Sequence, residues 1–402
     1  MRLLARSFVA ALGGFALGCA ATAEPPPSDT HGSGGFQNTG GTSVDGTGGT
    51  YVELIDPVLW TVDASDVHLY GDKLQGHYSQ DDQEYLFTVS PSGMLTSELI
   101  GDGVAPGERL PHADGAFLLV ANDVFSTEMG PTLFGYPEMT SSHYETTYVV
   151  MFDAARTRLW ALDCIDRLPS NVCCLNSPFE NVHGTHAGGG AAYVWGKYYW
   201  NLECNGSTIA SNDGSNGDGA EVLMRVSATG GIEWSKPMPY GEMEPWLDGG
   251  LFMVHSTSAR TIDAGGNAVW TRSLPLPATA HAVGPDGAIY VFLLDETDGN
   301  SLLAKLDAKT GDTIWEISAP ARYEYPHDVS VSPQNDLVWL VDSAYPNGLR
   351  AHSTTDGNLV AEIGFQPTAG DILTIANVAV DIDGQPVVYD NGSLKKFRYP
   401  QP

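Results

Sequence analysis

The feature that most constrains this chain is a hairpin that recurs along it. Leu303-Ala304-Lys305-Leu306-Asp307-Ala308-Lys309-Thr310-Gly311-Asp312-Thr313-Ile314-Trp315 reads as an apolar strand, a turn of Asp-x-x-Thr-Gly type and a second strand carrying a Trp. An Asp carboxylate can accept hydrogen bonds from its own turn, and a Gly can take the positive φ that closes it, so this spacing predicts a tight reversal. Related units occupy residues 150–160 (Asp153, Trp160), 223–234 (Ser227, Gly231, Trp234) and 261–270 (Asp263, Gly266, Trp270), with weaker echoes at 86–96 and 349–360. Upstream of each lies another apolar strand introduced by a Gly, Asp or Asn turn. Examples are Asp114-Gly115 before residues 117–120, Asp248-Gly249-Gly250 before 251–254, and Asp286-Gly287 before 289–292.

Two hairpins make one four-stranded antiparallel unit. After residue 50 no amphipathic helical stretch of useful length appears, and the apolar runs are either alternating or continuous, which predicts an all-β chain. The units recur about every 40 to 75 residues, against roughly 40 to 50 for a propeller blade, the longer intervals being insertions. Counting from Val58 predicts a β-propeller of seven four-stranded blades, with six or eight as the alternatives. The last unit ends at Phe397-Arg398-Tyr399 after three strands. Closure of the ring by an N-terminal strand, Tyr51-Val52-Glu53-Leu54-Ile55, would supply the fourth and remove the open edges.

The Asp307, Thr310, Gly311 and Trp315 pattern resembles the PQQ-like repeat of quinoproteins, and in degenerate form it covers most of residues 55–400. The resemblance implies that Asp and Gly shape the turn while Trp160, Trp234, Trp270 and Trp315 dock between blades. It names a fold and leaves activity open.

Ahead of the repeats, Arg2 and Arg6 precede an apolar run, residues 8–18, too short to span a bilayer. It ends Ala16-Leu17-Gly18-Cys19, which resembles the lipobox of bacterial lipoproteins and implies lipidation at Cys19, with an ordinary signal peptide as the alternative. Ala20 after the Cys implies outer-membrane retention. Residues 19–50 are rich in Gly, Pro, Ser and Thr and read as a flexible tether. The expected organisation is therefore a signal peptide at 1–18, a lipid-anchored linker at 19–50 and a propeller at 51–402. The 402-residue chain carries 19 Lys and Arg against 49 Asp and Glu, a formal charge of −30. That balance argues against nucleic acid, whose phosphates need a basic face, and leaves the acyl chains as the only hold on a membrane.

Three insertions, at 122–148, 164–180 and 196–221, fall in links that leave a propeller on one face, so they are expected to gather there. Cys164, Cys173, Cys174 and Cys204 lie within them, and an even set in an exported chain predicts two disulfides of open pairing. One pairing is a vicinal Cys173-Cys174 ring, which resembles that of quinoprotein alcohol dehydrogenases and would imply PQQ with calcium. Those enzymes' calcium-binding carboxylate and amide have no matching motif here, so stapling of the loops is the first reading. Trp195, Tyr198, Tyr199 and Trp200 form an aromatic-rich patch suited to a protein, peptide or glycan ligand. His183, His186, His281 and His327, the last followed by Asp328, recur near the start of the presumed innermost strands, where imidazoles and a carboxylate could hold a transition metal or do catalysis. The acidic runs 213–218 and 295–300 lack the spacing of a calcium loop, and no phosphate-cradling loop or nucleophile elbow is present.

The reading that follows is a monomeric, non-catalytic binding or assembly scaffold of the envelope, periplasmic or surface-facing, with no cofactor. In plan it resembles the propeller lipoproteins of the outer-membrane barrel-assembly machinery. The alternative is an enzyme with its site in the channel: a reduced quinoprotein oxidoreductase, or a histidine- or metal-based transferase or hydrolase.

Overall fold

The computed structural model describes residues 52–398 except 56–57, 64–66, 71–72, 81–82, 91, 103–106, 112–114, 125–131, 134–135, 138–145, 168–176, 213–218, 296–300, 320–327, 343–347, 365–374 and 391–392. All of these lie in one compact unit, Gly41–Pro402. Among them there is no α-helix, only a 3-10 turn at Leu247–Gly249, and no helix long and apolar enough to cross a membrane.

The described strands form seven sheets. Sheet I starts at Val67–Tyr70, sheet II at Gly107–Pro111, sheet III at Glu180–Gly188, sheet IV at Glu242–Trp246, sheet V at Ala278–Val283, sheet VI at Val329–Val331 and sheet VII at Ile375–Val380. Each continues outwards as an antiparallel meander. In sheet V the order is Ala278–Val283, Ile289–Leu294, Ser301–Leu306 and Thr313–Ser318. First strands of neighbouring sheets touch from II through VII, and Ile375–Val380 meets Val67–Tyr70 of sheet I. The ring is completed where Lys73–Gln80 of sheet I meets Gly107–Pro111 of sheet II.

The continuous apolar runs follow from this arrangement. A sheet standing between two others is covered on both faces, so its inner strands cannot alternate apolar with polar. All six residues of Ile289–Leu294 are buried, whereas the outermost strand Thr313–Ser318 has none buried. Seven apolar clusters fill the seven gaps between sheets. Leu118, Val149, Val194 and Met224 lie between II and III, and Leu74, Phe87, Val387 and Leu394 between VII and I.

Tryptophans sew neighbouring sheets together. The indole N–H of Trp160 donates to the Gly190 carbonyl at 2.8 Å, that of Trp234 to Ala264 at 2.9 Å, Trp270 to Ala308 at 3.1 Å and Trp315 to Thr354 at 3.1 Å. In each case the acceptor belongs to the next sheet. The turn explains the partner Gly: at Gly311, φ is +71° and a Cβ would stand 2.6 Å from the Trp270 ring. The packing role implied for these Trp residues is what the fold contains. Asp307 shapes the same turn, accepting from the backbone N–H of Lys309 and of Thr310 at 2.9 Å each.

The ring is closed by an N-terminal strand, but not by the expected one. Val58–Asp63 pairs antiparallel with Ser393–Phe397 and becomes the fourth strand of sheet VII. Val52–Ile55 instead runs parallel to Leu359–Gly364 as a fifth strand on the edge of sheet VI. The six residues of Val58–Asp63 span the five of Ser393–Phe397, while the four of Val52–Ile55 cover part of Leu359–Gly364. The first sheet accordingly starts at Val67 rather than Val58.

Candidate functional site

Within each sheet the first strand begins at the end where the second finishes, as the pairs Glu180 with Lys197 and Glu242 with Val254 show. Links from one sheet to the next and from second to third strand therefore leave on one face. The insertion between the second and third strands of sheet II contributes Thr132–Leu133 and Tyr136–Pro137, which extend the outer edge of sheet I. The corresponding insertion of sheet III contributes Asn201–Cys204 and Ser207–Ser211, which extend the outer edge of sheet II. Ser177–Pro178 also pairs with that edge strand, Arg158–Arg167. Each insertion thus reaches back across the gap as a two-stranded strap over the preceding sheet, on the face where the sequence expects the loops.

The second strap is pinned in two ways. Cys164 and Cys204 stand opposite one another in the ladder and form a disulfide with Cα atoms 4.1 Å apart. Of the three pairings, this is the one whose remaining members are Cys173 and Cys174, which lie outside the described residues. Buried Asp166 accepts the backbone N–H of Tyr199 at 2.6 Å and of Trp200 at 2.9 Å. Its burial pushes the carboxyl above the ordinary carboxylate range, against the pull of these amides. The aromatic patch is divided by this turn. Trp195 and Tyr198 are core residues, with the Trp195 indole donating to the Met238 carbonyl at 2.9 Å. Tyr199 and Trp200 remain part-exposed, and the Tyr199 hydroxyl donates to Glu180 at 3.0 Å. Asp166 gives no signal in the sequence, because only the fold brings it to a turn more than thirty residues away.

The histidines separate as well. His186, on the first strand of sheet III, bonds the Leu110 carbonyl of sheet II. Asp328 receives the Val329 N–H at 3.0 Å and, across to sheet VII, the Val378 N–H at 2.9 Å. These two side chains tie first strands together around the channel. His183 lies 5.3 Å from the Tyr240 ring and 6.0 Å from Trp195 between ring centres. His281 stands between two carboxylates of sheet IV, with Nδ1 3.3 Å from Glu242 and Nε2 3.7 Å from Glu244. Burial pushes the Glu244 carboxyl up, opposed by His281 and by the Val283 N–H it accepts, while Asp328 adds to the rise. His327 and Cys19 lie outside the described residues.

A cleft of about 110 Å³ opens beside His281, lined by Tyr240, Glu242, Val254, His255, Ser256, Ala278 and Ala280. Sequence reasoning singled out His281 as a metal or catalytic candidate and did not name its neighbours Glu242 and Glu244. The signal available was the i, i+2 spacing of Glu242 and Glu244, which puts both on one face of an innermost strand. Among the described residues no three His, Cys, Asp or Glu side chains converge to hold a metal ion.

Residues 257–393 match the family described as outer membrane protein assembly factor BamB, PQQ_2. The described sheets form a β-propeller that is PQQ-like over these residues. The match runs from the third strand of sheet IV to sheet VII, where the repeats are regular, and leaves out the sheets that carry the straps. No curated protein matches the sequence. Among solved structures, the propeller is similar to a chain of the structure titled "Crystal Structure of Mitotic Checkpoint Complex", at 11% identity over 86% of this chain and 92% of that one, with a TM-score of 0.51. It also matches a streptogramin B lyase (12% identity, 84% of this chain, 97% of that one, TM-score 0.49) and apo AztD from Citrobacter koseri (13%, 75%, 72%, TM-score 0.41). At such identities the likeness is one of fold alone.

Proposed function

We propose that this PQQ-like propeller is a non-catalytic binding or assembly scaffold of a bacterial cell envelope, lipidated at Cys19 and held to the outer membrane, which engages a protein partner through its strap-bearing face. The observation that carries this reading is the pinned strap. A disulfide and a buried Asp166 hold a turn that presents part-exposed Tyr199 and Trp200, and rigid aromatic side chains give binding area at little entropic cost. The BamB description of the matching family agrees with an envelope setting. Replacing Tyr199 and Trp200 together by Ala, with crosslinking and co-purification from envelopes, tests it. Partner capture is expected to fall at least tenfold, roughly 1.4 kcal/mol, with the melting temperature unchanged. Capture equal to that of the unaltered chain overturns the reading of the strap as the partner surface.

A further inference from the structure

The cleft beside His281 has a composition that selects its occupant. Its volume, about 110 Å³, is well below the roughly 300–1,000 Å³ of pockets that enclose a small-molecule ligand, so it suits the end of one side chain. Ala278 and Ala280 line it with methyl groups, which is why room remains there. Glu242 lines it directly, and Glu244 stands on the other side of the same imidazole. Two carboxyl groups thus stand against a single imidazole. A cation brought into the cleft also favours the charged form of Glu244, which burial otherwise opposes.

The remaining wall is aromatic. Tyr240 meets His255 edge-on at 6.0 Å, and the Tyr240 carbonyl is held 3.1 Å from His255 Nδ1. Behind it, Tyr240 packs against Trp195 at 4.8 Å and His183 at 5.3 Å, so the ring is fixed in place before any ligand arrives. An aromatic face next to a carboxylate suits an ammonium or guanidinium group, because the ring's negative face attracts a cation. The cleft opens on the strap-bearing face, because its residues sit where first strands begin and second strands end. The acidic balance of the chain, 49 Asp and Glu against 19 Lys and Arg, would draw a basic segment towards it.

We propose that this cleft receives a lysine or arginine side chain of a partner polypeptide, with Glu242 as the ion-pair partner and Tyr240 as the stacking surface. The inference rests on the scaffold reading and names the chemistry of its partner. It is tested on the full chain by calorimetry at low salt, using acetylated and amidated Gly-Arg-Gly and the same peptide with neutral citrulline. The arginine peptide is expected to bind at least tenfold more tightly than the citrulline peptide. Glu242→Gln, which keeps the side chain's size, should reduce arginine-peptide affinity about tenfold, while Glu98→Gln on sheet I leaves it unchanged and so sets aside bulk charge. Equal affinities for the two peptides, no arginine-peptide binding at millimolar concentration, or insensitivity to Glu242→Gln overturns the inference. Failure here with loss of capture in the Tyr199 and Trp200 variant removes the cleft and leaves the scaffold. Peptide binding with undiminished capture in that variant removes the strap as the partner surface instead.

Discussion

A single turn shows how the repeat residues act. Asp307 gathers the amides of Lys309 and Thr310, Gly311 takes the positive φ, and the surface this leaves is covered by Trp270 of the preceding sheet. The positive φ and the close approach are independent demands on position 311, so Gly311→Ala meets both. Trp270→Ala should cost about 3–5 kcal/mol, the range for emptying a buried aromatic site, and Gly311→Ala a smaller amount in the same direction. Urea unfolding of both single variants and the double checks this. Since each change disrupts the same contact, the double variant should lose less than the sum of the two. A fully additive result would mean that ring and turn do not depend on one another. The turn was legible in the sequence because Asp307 and Gly311 act within one short stretch of chain and the pattern recurs; the docking of Trp between sheets was what the resemblance to PQQ-like repeats implied. Asp166, Glu242 and Glu244 were not legible, because each works on backbone or side chains delivered by other strands.

At the level of elements, the straps are what distinguish sheets I and II from the regular ones. Both come from the link between second and third strands, and both add two short strands to the sheet before their own. Among the described residues the second is covalently fixed, by a disulfide between positions 40 residues apart. Loop-closure entropy for that span corresponds to about 4 kcal/mol. Replacing Cys164 and Cys204 together by Ala should lower stability by up to that amount, and hydrogen exchange should concentrate the loss in Asn201–Cys204 and Ser207–Ser211. Equal loosening around the ring would contradict a local role. The sequence placed these insertions on one face through the order of strands. It did not reveal their short strands, since two- to five-residue runs carry no periodicity that separates them from loop.

For the whole molecule, stability depends on closure. The gap between sheets VII and I is filled by Leu74, Phe87, Val387 and Leu394, and the outer edge of sheet VII is covered by Val58–Asp63. Truncation through Asp63 removes that strand together with Val52–Ile55 of sheet VI and exposes rows of unpaired backbone groups. Such a chain should melt at lower temperature, unfold less cooperatively and self-associate, whereas truncation through residue 50 should leave the melting curve of the ring unchanged. Calorimetry and light scattering of the two truncations decide it. Equal behaviour would mean that Val58–Asp63 is dispensable and the ring is held by its inner strands alone.

What the sequence determined by itself was everything set within one repeat: the all-β class, the hairpin turns and the three-stranded end that needs a strand from elsewhere. These follow from local spacing, and recurrence multiplies the signal; the docking of Trp between sheets was what the resemblance to PQQ-like repeats implied. The tertiary structure decided which N-terminal run closes the ring, that Cys164 meets Cys204, that the aromatic patch divides into a buried and a part-exposed half, and that His281 is flanked by Glu242 and Glu244. Each of these joins residues from different strands or sheets, and a pairing across the ring depends on register and strand length that no single segment contains.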